Sequence, residues 1–270
     1  MKKLLALCLS GLLLTGCGGI HGPVKEEWEW KLKEEDALIL SDGTAVDRWQ
    51  KGYSGYDFYK LKDGTELLRE EHPSGPENVY VGGRESFTSL PEHTAKAISA
   101  YYDDMGLLYD LETEVEGAYQ EYLTCQTEGE EFFSYYLGQS TSLCASNERV
   151  VYFLTSVTLP LGGQCGMNYQ VGAAFDRESG EVIPMWDLFA LPEEDVKALI
   201  VEEFAPRSEA ERAEMLEKLT AEYLVFQPDS LNGSFPYGVL ATELYTSVVG
   251  IDYGELTGVH HDWAVPDPMK

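Results

Sequence analysis

The chain has 270 residues, with 47 Asp and Glu against 19 Lys and Arg, a formal charge of −28. So acidic a surface repels nucleic acid and anionic lipid; it attracts cationic partners or simply keeps an exported protein soluble. The 44% hydrophobic and 12% aromatic content argues for a packed core and excludes a disordered chain.

The chain opens MKKLLALCLSGLLLTGCGG, with Lys2 and Lys3 ahead of an apolar run from Leu4 to Leu14. That run is too short to span a bilayer, which takes about 20 helical residues. A positive start, a short apolar core and small residues at a cleavage point mark an export signal. No later apolar stretch is long enough to be expected to cross a membrane. Leu14-Thr15-Gly16-Cys17 resembles the lipobox of bacterial lipoproteins. That resemblance implies cleavage before Cys17, diacylglycerol on its sulfur and often an acylated amine. An ordinary secretory signal with a chance cysteine is the weaker reading, because the motif directly follows the apolar run and precedes Gly18-Gly19. The expected organisation is a signal peptide over 1–16, a lipidated Cys17 with a tether over 17–36, and one domain over 37–270. The membrane is then a partner through the lipid on Cys17, at the outer face of the cytoplasmic membrane. Loss of Lys2 and Lys3 leaves 17 cations against 47 acids, a formal charge of −30.

Residues 37–88 carry turn signals at short spacing: Asp42-Gly43, Asp63-Gly64, Ser74-Gly75-Pro76 and Gly82-Gly83. They predict small strands and loops. Ser89-Leu90-Pro91-Glu92 fits a capping box, and Ile98, Tyr102, Met105, Leu108, Val115, Tyr119 and Tyr122 recur at helical spacing. One long helix is expected, weakened but not broken by Gly106 and Gly117. Phe132 to Leu137 predicts a short strand. Arg149 to Pro160 and Asn168 to Asp176 predict a hairpin around LGGQCG, residues 161–166. Asp176 to Gly180 predicts a second turn, leading to Val182-Ile183. Pro192 starts a helix with Val196, Leu199, Ile200 and Phe204 inward. Ser208 with Glu211 caps another, with Met215, Leu216, Leu219 and Tyr223 inward. Short strands and turns fill Tyr223 to Ile251. The fold class expected is α+β: an antiparallel sheet with a long helix and two shorter helices packed on it.

No motif carries chemistry. LGGQCG lacks the Lys-Ser/Thr of a phosphate loop, and Met167-Asn168-Tyr169 after it is strand-like rather than a helix start. Of His21, His72, His93, His260 and His261, none stands at a spacing that would make it the base for Cys165. His260-His261-Asp262 reads as a solvated C-terminal tail rather than a metal site. Acids are too common for any chosen pair to mark catalysis or calcium. No catalytic residue, metal or cofactor is therefore expected. Once Cys8 is removed and Cys17 lipidated, Cys125, Cys144 and Cys165 remain. One disulfide in any of three pairings, or three reduced cysteines, are all compatible with the sequence. Trp28, Trp30, Trp49, Trp186 and Trp263 read first as core or interface anchors and second as sugar-stacking rings.

The segment VVYFLTSVTLPLGGQCGMNYQVGAAFDRESGEVIPMWDLF, from Val150 to Phe189, resembles the extracellular domain shared by RsiV-type anti-sigma factors and PdaC-type peptidoglycan deacetylases. Gly162-Gly163 and Gly166 match the family's turn. Phe175-Asp176 with Gly180 matches its second turn, and Trp186-Asp187-Leu188-Phe189 the element beyond it. Leu231 to Leu256 resembles its closing loop and final strand. The family's histidine in the first turn is Cys165 here, so no role of that histidine transfers. Some relatives bind lysozyme, but the turn motif does not carry that activity. The signalling relatives need a cytoplasmic segment and the deacetylases a separate catalytic domain; neither is expected here. Together these readings lead to a sensor-like, non-catalytic surface lipoprotein. Its ligand would be a cationic protein such as a lysozyme, or a peptidoglycan fragment. A wall-active hydrolase and a lipoprotein docking to a membrane partner are the alternatives.

Overall fold

A computed structural model describes residues 29–78, 85–160, 167–241 and 247–268. The first four strands, β1 (Trp30–Ile39), β2 (Ala45–Lys51), β3 (Tyr56–Lys60) and β4 (Glu66–Glu71), form an antiparallel meander. Its hairpins turn at the Asp-Gly signals: Asp42 and Asp63 each accept from the backbone N–H two residues on. β1 begins at Trp30, ahead of the expected domain start at 37, so residues 30–36, the last seven of the expected tether, belong to the sheet.

After β5 (Ser74–Asn78) the chain enters α1 (Glu92–Met105) and α2 (Leu111–Glu128). Here the expected single helix is two. Gly106 takes φ 65° and ends α1, its N–H donating to Tyr102 O, so it breaks the helix that it was expected only to weaken. Asp110 then starts α2 by accepting from Thr113 N at 2.8 Å. The apolar spacing carries across the break because both helices pack on the same sheet face. The expected capping box is also absent. Pro91 precedes α1, and buried Leu90 draws the chain into an extended path that leaves Ser89 in a 3-10 turn, Phe87–Ser89.

β6 (Tyr135–Ser146), β7 (Val150–Leu159), β8 (Met167–Asp176) and β9 (Val182–Ile183) complete a nine-stranded sheet of order β1-β2-β3-β4-β6-β7-β8-β9, with β5 also on β6. β6 runs far past the expected Leu137. Its pairings with β4 and β5 are parallel, so the sheet is mixed rather than purely antiparallel. The β7–β8 hairpin forms from Val150↔Asp176 to Leu159↔Met167. At its open end Asp176 Oδ1 accepts from Glu178 N, Ser179 N and Ser179 Oγ, and Gly180 turns with φ 75°. Its LGGQCG loop lies outside the described residues.

α3 (Glu193–Glu203) and α4 (Glu209–Lys218) lead to a small antiparallel sheet of β10 (Leu224–Phe226), β11 (Ser230–Phe235) and β12 (Ser247–Asp252). Ser208 Oγ caps α4 at Glu211 N as expected, while the Glu211 carboxylate accepts from Arg207 N. Val196, Ile200, Met215 and Leu219 point inward; Leu199 does not, and is 42% exposed.

The class is α+β, and alternation along β6 sorts the layers. Leu137, Gln139 and Leu143 face the helices, and the Gln139 side chain clamps the α1–α2 junction through Leu108 N and Gly106 O. Cys144 faces the other way, into the largest core, with Tyr152, Phe226 and Leu188. There the small sheet lies on β8, Ser234 Oγ reaching Gln170 O, and α3 backs it through Ile200 and Phe204. This second layer covers β6–β9. Among the described residues, nothing covers the same face of β1–β4.

Candidate functional site

Cys17 and Cys165 lie outside the described residues, as do Trp28 and His21. Cys125, on α2, and Cys144, on β6, are both buried and both free. The Cys144 thiol donates to Tyr152 O and Phe226 O, each at 3.4 Å. Burial pushes that thiol up to about 12, and the Cys125 thiol also sits above its ordinary value. A thiol so placed is a packing group, not a nucleophile. In native buffer a thiol reagent should leave the Cys144 peptide unlabelled by mass spectrometry and modify it fully in guanidinium. Rapid native labelling would contradict this placement.

The His260–Asp262 stretch is not a solvated tail. His260 is 8% exposed and bridges to Phe189, with its ring edge-on to Tyr253 at 5.8 Å. Both of its ring nitrogens lack a hydrogen-bond partner among the described residues. His261 stacks on Trp263, and Asn147 Nδ2 donates to Trp263 O and Val265 O. The segment is a strap closing the largest core. Trp186 and Trp263 pack against that core as anchors; Trp30 and Trp49 stand on the bare face of the meander. Among the described residues no three of His, Cys, Asp and Glu group to hold a metal ion.

Two clusters escaped the sequence reading. The first is a carboxylate pair between sheet and helices. Asp57 and Glu70 are directly opposite on β3 and β4, and are 1% and 6% exposed. Arg48 clamps Asp57 Oδ2 through Nε at 3.0 Å and Nη2 at 2.5 Å, and His72 Nε2 stands 3.1 Å from Oδ1. Burial works against the Asp57 charge, yet contacts from Arg48, His72 and Gln50 outweigh it and hold the carboxyl below its usual value. Glu70 accepts from Tyr59 OH at 3.0 Å and Tyr109 OH at 2.7 Å. Burial first, and then the Glu70 charge, hold the Tyr59 phenol protonated. The pair is closed to a dissolved substrate and works as a structural lock. In a chain with 47 acids only its place inside two strands distinguishes it.

The second cluster is the outer face of the two helices. Between Lys96 and Arg149 there is no Lys, Arg or His, while Asp103 to Glu131 holds ten acids. None of the ten is buried, and none makes an ion pair among the described residues. Asp103 and Asp104 crowd the C-terminal turn of α1, and Glu128, Glu130 and Glu131 that of α2, where neither helix carries a basic residue. A helix C-terminus favours cations, so these acids sit where they cost stability. Two of the ten are tied down: Asp110 caps α2, and Glu116 accepts from Ser41 N at 2.8 Å and Ser41 Oγ at 2.9 Å, contacts that lower its proton affinity and fix α2 to the β1–β2 turn.

Structural neighbours of the chain are DUF3298 family proteins, a domain of unknown function. One, from Pseudomonas aeruginosa PAO1, is 16% identical with a TM-score of 0.31, over 48% of this chain and 65% of that one. The chain thus spans about two thirds of that neighbour's length. Another, from Bacteroides fragilis NCTC 9343, is 9% identical with a TM-score of 0.41, over 87% of this chain and 94% of that one. No family model and no curated protein matches the chain. At these identities no activity passes from neighbour to chain.

Proposed function

We propose that the chain is an exported lipoprotein, anchored through Cys17, whose RsiV/PdaC-type domain binds a cationic protein such as a lysozyme without catalysing a reaction on it. The observation that carries the reading is the helical face, with ten acids and no compensating cation from Asp103 to Glu131. Acids placed against the negative helix ends are relieved when a cation docks on them, and a field of this sign speeds encounter with a basic partner. The lipobox-like Leu14–Cys17 supports a location of that face outside the cell. A wall-active hydrolase finds less support, because the carboxylate pair that stands out in the fold, Asp57 and Glu70, is shut away from solvent.

Immobilised full-length chain in mild detergent should retain hen-type lysozyme at physiological salt and release it as salt rises. Asp103→Lys, Asp104→Lys and Glu128→Lys combined, all in exposed C-terminal turns of the helices, should abolish retention without lowering Tm. Loss of retention in the wild type, or equal retention by the triple variant, would remove the basis of the reading.

A further inference from the structure

The bare face of the meander has a composition that neither the core nor the acidic helices explain. Alternation sets Trp30 and Leu32 of β1, Asp47, Trp49 and Lys51 of β2, Phe58 and Lys60 of β3, and Arg69 of β4 on this one side. It is the side away from α1 and α2. Trp30 is 41% exposed, and Phe58 is shielded only by what lies over it: the Trp30 ring, edge-on at 4.9 Å, with Lys60 and Arg69. Lys60 Nζ stands 3.8 Å over the Trp30 ring and Lys51 Nζ 5.4 Å from it.

At the edge of this array is a depression of about 280 Å³, lined by Trp30, Trp49, Asp47, Lys60, Lys62 and Gly64. The Trp49 indole, the rim of Trp30, one carboxylate and two ammonium groups, of which Lys60 is shared with Glu66 at 3.7 Å, therefore line one hollow. Lys62 is exposed and makes no ion pair among the described residues. Indole faces suit the C–H face of a pyranose, and concave sites take orientation from a few convergent polar groups. Asp47 is placed to accept from sugar hydroxyls. The lysines decide the charge of the occupant: Lys60, 3.7 Å from Glu66, and Lys62, with no ion pair among the described residues, stand at this hollow, whereas Asp103 to Glu131 on the helices holds no cation.

We propose that this hollow is a binding site for a saccharide carrying a carboxylate. Trp49 forms its stacking surface beside the rim of Trp30, whose ring Lys60 covers, Asp47 takes hydroxyl groups, and Lys62, with Lys60 next to it, holds the acid. It lies on the opposite side of the sheet from the acidic helices, so it stands independently of the cationic-protein reading.

The probe is the disaccharide of N-acetylglucosamine and N-acetylmuramic acid, titrated into full-length chain in mild detergent and followed by tryptophan fluorescence and calorimetry. Chitobiose, its neutral counterpart, is the comparison. Saturable binding of the acidic sugar is expected, about fivefold tighter than that of chitobiose and weakened by salt. Trp49→Ala should weaken it by about tenfold. Lys62→Glu, on an exposed side chain, should erase the preference for the acidic sugar with Tm unchanged. If Trp49→Ala melts early, Lys62→Glu decides alone. Absence of saturable binding, equal affinity for chitobiose, or an unchanged preference in Lys62→Glu would each overturn the proposal.

Discussion

Replacing Gly172 by alanine should destabilise the fold by about 3 kcal/mol, the upper range for an overpacked core site. Gly172 pairs with Leu154 in the β7–β8 ladder, and the backbone of β10 passes directly over it. A Cβ there would meet Leu224 O at 1.9 Å, Leu224 C at 2.9 Å and Val225 Cα at 3.1 Å. All three are main-chain atoms of a strand fixed to β11, so no rotamer change relieves the collision. The small sheet must lift from β8, opening the core around Tyr152, Phe226 and Leu188. Urea titration should show the loss directly, and thermal melts should show Tm falling by roughly 10 °C. Gly117→Ala is the contrast. It adds a methyl within α2 with nothing inside 4 Å, and should stabilise by roughly 0.5–1 kcal/mol. A Gly172→Ala protein that melts like wild type would show that β10 does not approach β8 this closely.

Arg48→Met removes the guanidinium from a buried carboxylate and should cost about 3 kcal/mol, the lower end for breaking such a pair, since Arg48 is itself partly open to water. The cost arises because Asp57 would keep its charge at neutral pH, directly opposite Glu70, with the His72 ring and the Gln50 side chain left beside it. The pH dependence gives this prediction a signature. In the wild type the folded Asp57 carboxyl lies below its unfolded value, so its contribution is complete above about pH 4 and fades as pH falls through the folded value. Without Arg48, burial dominates and favours the protonated acid. The stability gap between variant and wild type should therefore be widest near neutrality and narrow below about pH 4. Arg48→Met with Asp57→Asn should recover most of the loss. A gap that stays constant with pH would show that Arg48 acts through packing alone.

Features decided by neighbours in the chain are readable beforehand. The β7–β8 hairpin follows from a β-branched, aromatic run on each side of a glycine loop. The Asp176–Gly180 turn follows from a carboxylate placed to accept the backbone N–H groups two and three residues on. The Ser208 cap of α4 is equally local. Features decided by distant partners are not readable in this way. Gly106 reads as harmless because the apolar stripe continues beyond it, and only Gln139 on β6 reveals that the chain turns there. His260 looks like tail because its bridge partner, Phe189, is far away in sequence. The Asp57–Glu70 lock is hidden by abundance, although an acid inside Tyr-Asp-Phe-Tyr, between aromatic residues of a strand, is the available clue. Trp30 and Trp49 read as core anchors first and sugar platforms second; their strand register places them on the bare face instead.

The parallel seam between β4 and β6 bears on how the molecule assembles. It consists of three register pairs, and the first, Leu68↔Tyr135, joins residues 67 positions apart. The hairpins on either side of it close within far shorter spans. Loop-closure entropy grows with span, and non-local strand pairing slows folding. The meander and the β6–β9 ladder can each find their register early, by local search. Their union waits on the intervening segment, with α1 and α2 in it, to bring the two edges side by side, so this seam and the β5–β6 pairing of similar span are expected to be set after both.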